Sequence, residues 1–128
     1  MSTHLRDITL IALGGAAGSV ARYLVGRLMG PQADGAIPWH TFAVNATGAF
    51  IIGLLLVLAA RLGWPGWWRP LLAVGVLGGY TTFSTFSLEV VELAMRGAWS
   101  TASLYGLGSL AVGVVAAACG ILVGRSIA

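Results

Sequence analysis

Residues 78 to 90 read GGYTTFSTFSLEV, with two glycines, five serines and threonines, a tyrosine and two phenylalanines inside a stretch otherwise apolar enough to cross a bilayer. Polar groups at membrane depth must be satisfied by protein, water or a ligand. Gly75, Gly78 and Gly79 each weaken helix propensity by about 1 kcal/mol, so the sequence predicts an interruption near residues 78 to 82. A broken helix frees carbonyls and N–H groups at mid-membrane, and such ends hold ions in transporters. Freed carbonyls suit a cation, whereas N–H groups and hydroxyl hydrogens suit an anion. Phe83 and Phe86, three apart, share a helical face and are interleaved with Ser84, Thr85 and Ser87. The two rings either face lipid or turn their positive edges toward an anion.

Other polar positions interrupt the apolar pattern and are the default places to seek function in a membrane. Arg22 falls well inside the first apolar stretch, where it either snorkels to the nearer interface or lines an anion-attracting vestibule. Asn45 lies a turn inside the second, where its amide either ties helices together or faces a pore. Glu89 follows the phenylalanines and is a second vestibule candidate. Glu92 precedes Arg96 by four, the favourable order for a helical ion pair. Tyr105 and Ser109 are four apart on one face and can extend a polar path.

The elements that must position these residues are helices. The chain of 128 residues is 58% hydrophobic and 9% charged, against about 25% charged in soluble domains. This composition predicts a membrane protein. Four stretches reach the roughly 20 residues needed to cross a bilayer: Ile8 to Leu28, Thr41 to Ala60, Leu71 to Met95, and Thr101 to Val123. Short connectors carrying Gly, Pro, Trp and Arg separate them, and the tryptophans beside arginines form an interfacial belt. A single all-α membrane domain, residues 1–128, is expected. A cleavable leader is disfavoured by the three later spans and by the apolar run continuing past Arg22. The 19 glycines, including the GGAAGSVARY face of the first span, predict close helix packing rather than a dinucleotide loop.

All seven cations are arginine, scattered so that no basic run exists to hold nucleic acid. Counted by membrane side, Arg6, Arg61, Arg69 and Arg125 oppose Arg27 and Arg96, with Arg22 between. So weak a positive-inside bias predicts insertion in both orientations. Four helices are few to enclose a polar path, so a twofold homodimer is expected, and dual insertion makes it antiparallel. Cys119 lies in an apolar segment and reads as a packing residue. The chain has neither a nucleophile–base pair nor a metal-ligand cluster for enzyme chemistry.

At GGAAGSVARY, NATGAFIIG and GVLGGYTTFSTFSLE the sequence resembles the Fluc (CrcB-type) family of fluoride channels, over nearly the whole chain. The third motif is long and unusual enough to be specific. The resemblance implies an antiparallel dual-topology homodimer of four-helix subunits in the cell (inner) membrane. It implies two fluoride pores and a structural sodium ion at the dimer centre, held by backbone carbonyls of Gly78 and Thr81. Phe83 and Phe86 would line the pores with Asn45, Ser84 and Thr85; Tyr105 and Ser109 would continue the polar track. Arg22 and Glu89 match the family's first-helix arginine and the acidic residue after the motif. The activity implied is passive, selective fluoride export that confers fluoride resistance. The rival is a small dual-topology drug or cation exporter, which needs a titratable carboxylate within the membrane; the first span has none, and only Glu89 and Glu92 lie near one.

Overall fold

The computed structural model describes residues 2–127, and they are almost entirely helical. Helix α1 spans Thr3–Met29, α2 spans Trp39–Arg61 and the last helix, α5, spans Trp99–Ile127. The third span, Arg69–Met95, is discontinuous. It begins as a π-helix, Arg69–Leu77, continues as a single turn, α3 (Gly78–Tyr80), and resumes as α4 (Phe83–Met95). Four helical spans are thus long and apolar enough to cross a membrane, with π winding over nine residues in one of them. Such winding is mostly found as single turns, frequently at functional sites.

The interruption lies just beyond the expected glycines. Gly78 and Gly79 remain helical, and the extended residues are Thr81 (φ −78°, ψ 158°) and Thr82 (φ −150°, ψ 118°). Glycine weakens the helix, but the side chain of Thr82 caps the next one. Its Oγ1 accepts the Thr85 N–H at 3.2 Å, satisfying a donor that the start of α4 would otherwise leave unpaired. At the other ends, Gly63 and Gly97 take positive φ just after α2 and α4, the left-handed position that closes many helices.

Two seams assemble the subunit. Helix α1 lies against the π-helix and α3, where methyl groups at Gly14 and Gly18 would run into the Leu71 and Val76 carbonyls. Helix α2 lies against α5, with Gly53 facing the Ala117 carbonyl and Gly120 the Phe50 carbonyl in the same way. Small residues at helix contacts permit backbone approach where lipid supplies no hydrophobic driving force. Helix α4 joins the second pair through buried Leu93, Ala102 and Tyr105, with Phe42, Phe86 and Val90 packed around them. The Trp64, Trp67 and Trp68 rings cluster after α2, with the Arg69 guanidinium over Trp68 at 5.6 Å.

One expected pair does not form. Arg96 turns its guanidinium to Asp34 at 2.8 Å, across two connectors, and no Glu92–Arg96 ion pair exists among the described residues. Arg96 stands at the C-terminal cap of α4, where its side chain meets Asp34 in the connector between α1 and α2.

Candidate functional site

Thr82 organises the break. Its N–H donates to Asn45 Oδ1 at 2.8 Å, and its carbonyl accepts from Asn45 Nδ2 at 3.0 Å. Its hydroxyl accepts the Thr85 N–H and donates to Thr85 Oγ1 at 3.0 Å. The Asn45 amide therefore replaces the backbone partners that Thr82 would have had in a continuous helix. Of the two readings open for Asn45, helix tie or pore donor, the geometry gives the tie, although its side chain also borders the groove described next.

The same bonds free two carbonyls. In a continuous helix the Gly78 carbonyl would receive the Thr82 N–H and the Thr81 carbonyl the Thr85 N–H. Both donors are engaged elsewhere. Gly78 and Thr81 border an open groove of about 550 Å³ that also carries Phe83, Phe86 and Ser109. The Thr81 hydroxyl is turned back onto the Leu77 carbonyl at 2.8 Å, so only main-chain oxygen is left to face the groove. Hard cations take oxygen ligands of this kind.

The rest of the groove is largely aliphatic, with Ile52, Leu77, Leu110 and Val114 in its lining, and Phe83, Phe86 and Ser109 stand among them. The Phe83 and Phe86 ring centroids are 5.8 Å apart at 45°. Phe83 is 80% exposed. Phe86 is half-buried and meets Tyr105 edge to face at 5.3 Å. Ser109 borders the groove, and its hydroxyl is buried without a hydrogen-bond partner among the described residues. Ser84 is exposed at the start of α4, 3.4 Å from the Thr82 hydroxyl.

A second cavity, about 470 Å³, is bordered by Arg22, Arg27, His40, Thr41, Thr82 and Thr85, among others. Thr82 thus borders both spaces. Arg22 borders this cavity and makes no ion pair among the described residues. Beside the cavity, Glu89 accepts the Thr41 hydroxyl at 2.8 Å and the Tyr105 hydroxyl at 2.7 Å. Tyr105 is fully buried and its hydroxyl is directed to Glu89, whereas Ser109 borders the groove; the two occupy different surroundings. Sequence reasoning passed over Thr41 and His40. Their signal was position: both lie in the first turn of α2, one helical turn before Asn45.

A family model described as CrcB-like protein, Camphor Resistance (CrcB), matches residues 9–121. The chain belongs to the CrcB family. Relatives support the assignment over nearly full length. A protein of Agrobacterium fabrum named fluoride-specific ion channel FluC is 49% identical over 126 residues, covering 94% of this chain and 98% of the relative. One of the same name from Magnetococcus marinus is 48% identical, covering 94% and 99%. A third, from Phenylobacterium zucineum, is 45% identical, covering 96% and 98%. Four apolar spans and this CrcB membership make the chain a multi-pass membrane protein.

Proposed function

We propose that this CrcB protein is a fluoride-selective channel that lets fluoride leave the cell passively across the cytoplasmic membrane and so confers fluoride resistance. The observation that carries the reading is the groove at the broken third span, whose lining includes Phe83, Phe86 and Ser109. An unpaired ion in a low-dielectric interior faces a solvation cost of tens of kcal/mol. Closely spaced donors must therefore replace hydration water along the path, and each must hold weakly enough for the ion to leave. Phe83, Phe86 and Ser109 offer such contacts without a fixed charge. Arg22 stands further out, in the vestibule, where a cation gathers anions without trapping them. No bond to carbon or phosphorus is made or broken, so the activity is transport and not catalysis.

The channel is a homodimer in this reading. A groove open on one side and a Phe83 ring 80% exposed give half of a pore wall, which a second copy completes. The near-even division of arginines between the two membrane faces supports an antiparallel pairing with its twofold axis in the membrane plane. Under that symmetry the free Gly78 and Thr81 carbonyls of both copies would meet at the centre. Two carbonyls per subunit are too few for a hard cation, and four from a symmetric pair suit a sodium ion. A bound sodium would neutralise the clustered carbonyl dipoles and fix the dimer. Potassium-only preparations that retained full dimer stability would remove this part of the reading.

Purified protein in liposomes tests the main claim. Passive, electrogenic fluoride efflux without added partners is expected, with chloride retained. Chloride passing as readily, or no fluoride flux, would overturn it. Terminal tags accessible from both sides of the membrane would support antiparallel pairing, and tags all accessible from one side would refute it.

A further inference from the structure

His40 stands in the first turn of α2, and its imidazole is held between two other elements. From α4, Glu89 Oε1 lies 3.6 Å from His40 Nε2, beyond hydrogen-bond reach but within strong charge coupling. From α1, Gly26 faces the ring, and even a methyl group there would come only to 4.0 Å from Cδ2. The side chain is 34% exposed, against 14% for Glu89. It borders the same vestibule as Arg22 and Arg27. Glu89 already takes two hydroxyl donors, from Thr41 and Tyr105, and the imidazole stands beside the oxygen that Thr41 occupies.

An anion entering this cavity is attracted by two guanidinium groups and repelled by one carboxylate. Fields in a low-dielectric cleft are focused enough for a single charge to change entry rates. Histidine is the side chain used most widely to carry protons near neutral pH. A proton taken from the bath by His40 offsets the Glu89 charge and adds a donor toward Oε1. We propose that His40 is a positioning residue that couples fluoride entry to pH, strengthening the anion attraction of the vestibule as protons accumulate.

The proposal rests on the fluoride-channel reading. The groups that bear on the imidazole come from several elements. Glu89 on α4 stands beside it, and Arg22 and Arg27 on α1 border the same cavity. Tyr23 on α1 borders the cavity, and Tyr105 on α5 acts through Glu89. Asp34, in the loop before α2, is paired with Arg96. Tyr80 on α3 is bonded to Thr47 at 3.0 Å.

Unitary fluoride currents in planar bilayers, with the same pH on both sides, test this between about pH 8 and pH 5.5. Current is the proper readout because undissociated hydrogen fluoride crosses lipid without carrying charge. The native channel should gain roughly fivefold in conductance as pH falls through that range. H40Q, which keeps a hydrogen-bonding side chain, should lose the gain, and H40A should lose it too. Size-exclusion profiles matching the native protein would establish that the variants assemble. A native current independent of pH, or an undiminished gain in H40Q and H40A, would overturn the role of His40. No fluoride current at any pH would overturn the channel reading itself, and this proposal with it.

Discussion

The two halves of the third span are joined by Thr81 and Thr82 and are held in place by opposite means. The first half, the π-helix and α3, lies backbone to backbone against α1, with glycine on both sides of the contact. The second half, α4, is held by side chains: Phe86 on Tyr105, Leu93 beside Ala102, and Glu89 tied to Thr41 and Tyr105. In the groove lining the first half contributes Ala73, Leu77 and Gly78, and the second contributes Phe83 and Phe86. The contrast teaches that one span can present different surfaces a few residues apart, provided that a break lets each half pack by its own rules.

The comparison can be broken most severely at the glycine seam. Gly18→Val would drive a branched side chain into the Val76 carbonyl, where no flexible group can give way. Overpacking of this kind costs about 1–3 kcal/mol and sometimes more. Loss of a monodisperse folded species in size-exclusion chromatography is expected, and a wild-type profile and flux would show that the seam tolerates bulk. Asn45→Ala attacks the joint instead. It leaves the Thr82 N–H and carbonyl without partners at membrane depth, at about 1–3 kcal/mol for each unsatisfied group. Assembled protein with fluoride efflux at least tenfold slower is expected, and efflux at the native rate would show that the Asn45 tie does not set the break. The mildest change acts on the second half alone. Phe83→Ile and Phe86→Ile keep apolar bulk but remove ring edges, so the protein should fold as the native chain does while efflux falls several-fold. Native efflux in both variants would remove the rings from the path.

Much of this was legible in the residues themselves. Apolar stretch length gave four spans, glycine density gave close seams, and the hydroxyl and phenyl pattern of residues 81–87 marked the site. The position of the break was legible only approximately, because glycine propensity does not reveal that Thr82 supplies a cap while Asn45 supplies its backbone partners. That exchange involves residues 37 positions apart, and no local pattern encodes it. Arg96 was misread for a related reason: spacing along one helix favoured Glu92, whereas the chain turns at Arg96 and brings Asp34 within reach. The π winding of Arg69–Leu77 left no mark on an all-apolar run. His40 was overlooked because a lone histidine at a helix start looks interfacial until Glu89 is placed beside it.

The commitments of Thr82 have a consequence for how the family can vary. Its N–H, carbonyl and hydroxyl all have partners, on two helices, so the junction has no slack in either direction along the chain. One residue added or removed between Leu77 and Thr85 would shift Thr82 out of register with Asn45 and rotate both phenylalanines by about a quarter turn. The connectors between spans carry no such constraint. Length variation among CrcB chains should therefore be concentrated in the connectors and termini, while the count from the second-span asparagine partner to the second phenylalanine stays fixed.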